Sequence, residues 1–229
     1  MNTFIEKLYD NFIKDDRYMY LVKGLGNTLM ITFFAALIGI ALGFVIAIIR
    51  STYAKTGKFK VLNAICNVYL TIIRGTPVIV QLLIMYYVVF VSLNNKIFVA
   101  VIAFGINSGA YVAEIVRSGI MSIDKGQTEA GRSLGFSYGQ TMWYVIMPQA
   151  FKNVLPALAN EFIVLLKETA IVGYVSLSDL TRVANQISSR TYEAFMPLIG
   201  SAVIYFVTIK IITILLEKLE RRLRKSDNR

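Results

Sequence analysis

Two polar side chains stand in the middle of long apolar stretches of the sequence. Asn107 lies halfway along residues 97–118, and Glu161 lies near the middle of residues 149–175. Strongly polar groups in such surroundings are costly and tend to mark a pathway, so we expect both to face one cavity that binds a polar ligand. An ionised Glu161 would require a cation, and a bidentate guanidinium is the strongest one. The structural alternatives are an interhelical hydrogen bond or an ion pair with Lys152 or Lys167.

A second candidate site is the sequence Arg74-Gly75-Thr76-Pro77, which interrupts a long apolar region. Thr76 followed by Pro77 is typical of a helix N-cap and first helical residue. The next helix, 77–91, would then point the positive end of its dipole at the break. Gly75 and Thr76 would bind a carboxylate there, and Arg74 would add positive charge. The alternative is a proline kink with Arg74 paired to an acidic residue.

The composition excludes several kinds of active site. The 229 residues include no histidine and one cysteine, Cys66, which argues against an intrachain disulfide, a Cys/His zinc site, a His-based triad and a His-ligated haem. No G-x-x-x-x-G-K-[ST] phosphate loop occurs. The formal charge of +10 collects at the ends of apolar stretches, and no nucleic-acid-binding motif accompanies it. We therefore predict binding rather than catalysis, with no metal, cofactor or nucleic acid bound by this chain.

Long apolar blocks indicate the fold class. Hydrophobic residues form 56% of the chain and are grouped rather than alternating, and blocks of about 18 or more can cross a bilayer as helices. Basic loops at 50–60 and 117–132 both belong on the cytoplasmic side, so an even number of spans separates them and region 61–93 counts as one broken span. The sequence predicts an all-α integral membrane protein with a single domain, 1–229, and five spans at about 21–49, 61–93, 97–118, 149–175 and 195–216.

The charges at the ends of the spans predict the orientation. The tail 217–229 is strongly basic and belongs on the cytoplasmic side, where it contacts anionic lipid. Five spans then place the N-terminus outside. The basic residues that precede the first span act against this orientation, and acidic neighbours balance them only in part.

The longest polar interval of the chain is the Gly-rich loop 124–148. Within it, residues 127–134 have the composition of a short amphipathic helix. The signals for its ends are Asp124 or Thr128 at the start and Gly135 and Gly139 at the stop. Because so short a helix is marginal alone, it must pack either in a groove of a partner or against the ends of the spans.

This loop resembles the EAA loop of ABC importer permeases. Glu129-Ala130-Gly131 is followed after three residues by Gly135, and after nine more by Val145-x-Met147-Pro148. The spacing matches that motif, with small or apolar replacements at three positions. Other segments resemble the polar amino acid branch of the family (the histidine/glutamine/arginine type), so that the similarity covers most of residues 20–222. These segments are IRGTPVIVQLL at 73–83, INSGAYVAEIVRSGI at 106–120 and LPALANEFIVLLKETAIVG at 155–173.

The resemblance implies a type I ABC importer permease of the bacterial inner membrane. Such a permease works as a homodimer or beside a sister permease, with two ATPase subunits that bind the ATP and an extracytoplasmic solute-binding protein. The loop would carry the coupling helix seated in the ATPase, and similar permeases place substrate contacts at the positions of Asn107 and Glu161. The expected coupling residues are Glu129, Ala130, Gly131, Arg132 and Gly135.

We therefore predict the membrane subunit of an ATP-driven importer of polar amino acids. Basic ones (arginine, lysine or histidine) are preferred because Glu161 requires a cation, and glutamine or another polar amino acid is the alternative. An ion-coupled secondary transporter would explain Asn107 and Glu161 but not the loop spacing, and no inverted repeat is visible. A membrane-embedded enzyme would have mainly carboxylates, lysine and serine from which to build its site.

Overall fold

The structure, a computed structural model, describes the backbone of residues 2–225 and the side chains of residues 4–223. Within that part of the chain it contains helices and turns and no strand. The basic residues Arg224, Lys225 and Arg229 of the predicted lipid-binding tail have side chains outside the described residues. The helices are α1 (Asn2–Leu8), α2 (Arg17–Thr56), α3 (Lys60–Gly75), α4 (Val78–Ile84), α5 (Lys96–Met121), α6 (Lys125–Ser133), α7 (Tyr138–Thr141), α8 (Met147–Glu168), α9 (Leu180–Thr191) and α10 (Phe195–Lys225).

Short turns of other helix types join several of these elements. π-helical turns extend α1, follow α4 and precede α8, and 3-10 turns precede α2 and follow α8. The π turn before α8 joins it to α7, so the second half of the loop 124–148 runs into a span without a break. The turn residues are Tyr9–Ile13, Met85–Val89 and Met142–Ile146 for the π type, and Lys14–Asp16 and Thr169–Val175 for the 3-10 type.

Among the described residues, three helices are long and apolar enough to cross a membrane: α2, α5 and α10. α3 and the α4 segment, up to Val89, pass the same test as a pair and meet at an angle of 109°. The predicted span at 61–93 is thus bent sharply at the predicted break. α8 covers most of the predicted fourth span, and its 22 residues are about 33 Å long. It falls below the apolarity of the others because it carries polar and charged residues from Gln149 to Glu168.

The break between α3 and α4 differs from the prediction by one residue. Pro77, rather than Thr76, occupies the N-cap position, and the helix begins at Val78. Thr76 has the extended backbone that a following proline favours, and its hydroxyl donates to the carbonyl of Ile72 at 2.8 Å. That hydroxyl therefore belongs to the end of α3 and does not cap α4.

Close packing of α2 against α5 forms the centre of the molecule. A Cβ atom at Gly43 would lie 2.5 Å from the side chain of Val112, and one at Gly39 would lie 2.9 Å from Ser108. Only glycine therefore permits these two helices to approach so closely. The contact fixes the face of α5 that carries Asn107 and Ser108.

The first half of the polar loop folds as a capped helix. α6 begins at Lys125, two residues earlier than predicted, because the Asp124 side chain accepts a hydrogen bond from the Gly126 amide at 2.7 Å. It ends before Gly135, whose φ of +83° is the left-handed conformation that glycine adopts at helix ends. The prediction of Gly139 as a stop signal was wrong. It lies inside α7, which starts with a capping box formed by Ser137 and Gln140.

Candidate functional site

A cleft of about 470 Å³ lies between the break at α3–α4, α5 and α8. Both Arg74 and Glu161 line it, so the structure brings together two of the predicted binding residues from distant parts of the sequence. From α5, lining side chains come at intervals of three and four residues, which places them on one helix face. The cleft therefore runs along α5 towards the end where the loop 124–148 begins. The lining residues on this face include Tyr111, Glu114 and Ser118 of α5 and Ser122 directly after its end.

Glu161 has one hydrogen-bond partner in this cleft. The hydroxyl of Ser108 donates to its Oε1 at 2.9 Å. No lysine or arginine of the described chain lies within 4.0 Å of the Glu161 carboxylate, so the predicted alternative of a pair with Lys152 or Lys167 is not formed. A half-buried carboxylate with a single neutral donor remains available for a cation.

Arg74 also lines the cleft, from the end of α3. Its guanidinium lies over the ring of Tyr111, with Cζ 5.8 Å from the ring centroid. This stacking orients the group while leaving its N–H donors free, because no described acidic side chain pairs with it. The alternative of an ion pair at Arg74 is therefore not formed. The cleft presents a positive group and a negative group that do not neutralise each other.

Asn107 lies outside the lining of the cleft. Its side chain is 2% exposed, and its Nδ2 donates to Oε1 of Gln81 at 2.9 Å. Gln81 in turn donates to the Ile73 carbonyl at 2.7 Å and to the Thr76 hydroxyl at 2.8 Å. Asn107 thus fixes the break between α3 and α4, and its own Oδ1 has no hydrogen-bond partner among the described residues. Of the two residues expected to face one cavity, Glu161 lines the cleft and Asn107 does not. Asn107 adjoins the cleft only through its neighbour Ser108, which contacts Glu161.

The remaining residues of the break are exposed. Nothing lies within 4 Å of the position that a Cβ of Gly75 would occupy, so its backbone is open to a ligand. The Thr76 hydroxyl is held between Ile72 and Gln81. Sequence reasoning missed Gln81 and Ser108. Each had a signal, because Gln81 interrupts an apolar run and Ser108 directly follows Asn107.

Glu114 also lines the cleft, but it is fully paired. Arg50 donates to its Oε2 at 2.9 Å, and Arg117 donates to its Oε1. Glu114 and Arg117 are three residues apart on α5 and form an ion pair, and Arg50 from the end of α2 joins it. This cluster ties α2 to α5 at the end of the cleft nearest the polar loop.

The candidate coupling residues occupy both faces of α6. Glu129, Ala130 and Arg132 are exposed, whereas Gly131 is buried against α7. A Cβ at Gly131 would lie 2.7 Å from Thr141, so this position requires glycine where the motif has alanine. The Arg132 guanidinium donates to the Phe136 carbonyl at 3.0 Å and closes the end of the helix. Leu134, 77% exposed, extends the outward surface. α6 therefore rests on α7 and the following π turn and leaves a face uncovered.

Comparison with known proteins assigns this architecture to a family. Residues 39–225 match the family described as the inner membrane component of binding-protein-dependent transport systems. The chain belongs to this family. It is 41% identical over 211 residues to the arginine transport system permease protein ArtQ of Bacillus subtilis, covering 91% of this chain and 94% of that one. It is 34% identical to the glutamine transport system permease protein GlnP of Escherichia coli K12, covering 89% and 93%.

Solved structures agree with the assignment. The chain of a crystal structure of an amino acid ABC transporter with histidines is 45% identical and superimposes with a TM-score of 0.81, covering 90% of this chain and 94% of that one. The MetNI methionine ABC transporter, in inward-facing conformations, has the same fold at 20% identity and a TM-score of 0.78, covering 92% and 99%. The predicted fold class, an all-α membrane protein of the type I ABC importer permease kind, is confirmed. The chain is an inner-membrane permease component and not the catalytic subunit of its transport system.

Proposed function

We propose that this chain is the membrane subunit of an ATP-driven importer of polar amino acids that prefers basic ones. One observation carries the preference: Glu161 lines the central cleft without a cation of its own. Arginine, lysine or histidine would supply that cation, and a guanidinium would do so with two parallel hydrogen bonds. The similarity to a permease named for arginine transport supports the same choice.

The second charge of the cleft suits the other end of an amino acid. Arg74, held over Tyr111, would bind the α-carboxylate, with the open backbone at Gly75 beside it. Thr76 and Asn107 would act through Gln81 by holding the break in position. An amino acid with a cationic side chain would thus meet an opposite charge at each of its two ends. Neither Arg74 nor Glu161 would then be removed from water without a partner, which would be costly.

The exposed face of α6 is the proposed contact with the ATPase. Glu129, Ala130 and Arg132 would enter a cleft of the motor subunit, while Gly131 and Gly135 set the packing and the end of the helix. ATP would be bound by that partner, because this chain has no phosphate loop. The same assembly would contain a second permease copy or sister permease and an extracytoplasmic solute-binding protein. Residues 1–229 would form one domain, with the N-terminus outside and the C-terminus cytoplasmic.

Glutamine is the second candidate substrate. Permeases named for glutamine transport are 34–37% identical to this chain. The cleft also carries neutral hydrogen-bonding groups at Ser118, Ser122 and Asn153 that would suit an amide. In that case Glu161 would have a structural role with Ser108, and its charge would not affect selection.

Uptake into liposomes tests the proposal. The vesicles would hold this chain, its ATPase and its binding protein, and arginine, lysine, histidine, glutamine and glutamate would be offered with and without ATP. ATP-dependent uptake of the cationic set is expected. ATP-dependent uptake of glutamine alone would retain the importer and assign Glu161 to structure. Uptake that does not require ATP would contradict the coupling role of α6 and favour an ion-coupled transporter.

A further inference from the structure

A second cleft, of about 220 Å³, lies where the end of α2, the end of α5 and the start of α6 meet. It is separate from the central cleft and contains none of the proposed substrate contacts. Its lining side chains are of two kinds, basic and apolar. The basic residues are Arg50, Lys55, Arg117 and Lys125, and the apolar ones are Ala54, Ile120, Met121 and Ile123.

The positive charge of this basic cleft is not neutralised by the protein. No carboxylate is among its lining residues. Glu114 is shared between Arg50 and Arg117, and Asp124 uses its side chain to cap α6. Lys55 and Lys125 form no hydrogen bond or ion pair within the part of the chain that is described. Four cations against one shared carboxylate leave a site that attracts an anion.

A buried hydroxyl in the same cleft also lacks a partner. Ser51 is 7% exposed, lines the cleft, and its Oγ has no hydrogen bond among the described residues. An unsatisfied buried hydroxyl costs about 1–3 kcal/mol, so such groups usually serve a ligand or a water molecule. An anion held between Lys55 and Lys125 would be positioned to accept this hydrogen bond.

The position of the cleft relative to the spans identifies the class of anion. The apolar run of α2 ends at Ile49, directly before Arg50, and α5 ends at Met121, so the cleft lies at the boundary between the hydrocarbon and the polar headgroups. Met121 is 68% exposed, so the cleft has an apolar surface open to its surroundings. A ligand with a phosphate at one end and an alkyl chain at the other matches both kinds of lining side chain.

We propose that this cleft binds the phosphate of an anionic phospholipid from the leaflet on the side of the loop 124–148. The phosphate contacts Lys55, Lys125 and the Ser51 hydroxyl, and an acyl chain follows Ile120 and Met121 out to the bilayer. Since Lys125 is the first residue of α6, the bound lipid joins that helix to the ends of α2 and α5. The site does not depend on which amino acid is carried.

Lipid retention by the purified full-length chain tests this site. The chain would be placed in nanodiscs of phosphatidylcholine, and affinity for added phosphatidylglycerol would be measured by native mass spectrometry. Lys55→Gln with Lys125→Gln removes two basic contacts. The matched control is Lys58→Gln with Lys60→Gln, which removes the same charge from the same basic region outside the cleft. Losing one direct charged contact with the phosphate should weaken binding at least about fivefold, so we expect the first pair to weaken it about 25-fold. Lys58 and Lys60 do not line the cleft, so the control should weaken binding only about twofold.

A second variant tests the hydroxyl without changing charge. Ser51→Ala should weaken phosphatidylglycerol binding about tenfold and leave the helical content of the chain intact, since a hydrogen bond to a charged group is lost. Equal losses in the two lysine pairs, or no loss in Ser51→Ala, would overturn the proposal. Soluble glycerol phosphate that binds as tightly as the lipid would also overturn it. So would a Lys55/Lys125 variant that keeps its lipid but loses the ATPase subunit, because the cleft would then be a protein contact.

Discussion

Two carboxylates, Glu114 and Glu161, line the central cleft, and they differ in their hydrogen-bond partners. Glu114 is held by Arg50 and Arg117, one from another helix and one from its own. Glu161 receives a single hydrogen bond, from the neutral hydroxyl of Ser108. Both residues lie on helices that border the same space, so their difference comes from the partners that packing gives them.

On the function proposed above, this difference would separate a structural charge, Glu114, from a binding charge, Glu161. Removing a charge from water is costly unless another charge compensates it. Glu114 is compensated within the folded chain and so stabilises the junction of α2 with α5. Glu161 has no such partner among the described residues, and we propose that the substrate supplies its counter-charge. Both carboxylates line the cleft, so the proposed substrate contact at Glu161 rests on its lack of a paired cation and not on its position alone.

The largest expected effect comes from α6, outside the cleft. It is the reference against which the effects of changing Glu114 and Glu161 are compared. Glu129→Lys combined with Arg132→Glu reverses the exposed charges of α6 without changing the net charge. Like-charge contacts at an interface cost several kcal/mol, so ATP-driven uptake of every amino acid should fall at least about 100-fold. The measurement is uptake into liposomes, together with recovery of the inserted protein.

The control for the α6 variant is Glu217→Lys with Arg221→Glu, which reverses an exposed ion pair on α10. It should transport at the normal rate. Normal uptake by the α6 double variant would contradict the coupling role. A loss restricted to basic amino acids would also contradict it, because coupling cannot distinguish between substrates.

The second effect should be selective. Glu161→Gln removes the uncompensated charge while keeping the size of the side chain. Losing one partner of a desolvated charge pair costs about 2–5 kcal/mol, so arginine uptake at low concentration should fall about 100-fold and glutamine uptake should change less than about threefold. Initial rates for the two substrates, measured in the same vesicles, give the ratio directly. Equal losses would make Glu161 structural and remove the distinction between the two carboxylates.

The third effect should appear in stability rather than in transport. Glu114→Gln leaves Arg50 and Arg117 close together without their common acceptor. Because the three side chains are partly exposed, we expect a loss of about 1–2 kcal/mol, and the ratio of arginine to glutamine uptake should stay as in the wild type. Thermal unfolding of the purified protein in detergent measures the first quantity. Glu161→Gln should not lower the unfolding temperature in the same assay. If Glu161→Gln lowered it and Glu114→Gln did not, the assignment of Glu114 as the structural carboxylate would be contradicted.

Local sequence signals predicted much of this arrangement. The break at 74–77 follows from proline and glycine in an apolar region, and the helix α6 follows from Asp124 at its start and Gly135 at its end. Such features depend on a few neighbouring residues. The errors were also local: Thr76 bonds its own helix instead of capping the next, and Gly139 is carried inside a helix that Ser137 starts.

The partners of the two carboxylates could not be predicted in this way. Ser108 and Glu161 are 53 residues apart, and Arg50 and Glu114 are 64 apart. Which faces of two helices meet is decided by how closely their backbones approach. For α2 and α5 that approach depends on glycines such as Gly43, which lies against Val112. The spacing of residues in the sequence does not predict that contact. The sequence therefore indicated which residues were candidates, and packing determined which of them kept an unpaired charge.

The smallest effect concerns the single bond that positions Glu161. Ser108→Ala removes the donor at 2.9 Å and should lower arginine uptake about five- to tenfold, since one hydrogen bond to a charged group is lost while the carboxylate remains. Ser108→Thr, which keeps a hydroxyl, should restore most of the rate if the tight contact with Gly39 permits the extra methyl group. Ser118→Ala, in the same cleft but without a bond to Glu161, is the control.

If Ser108→Ala reduced arginine and glutamine uptake equally, Ser108 would support helix packing alone. A selective loss smaller than that of Glu161→Gln would mean that the charge binds the substrate and the hydroxyl only orients it.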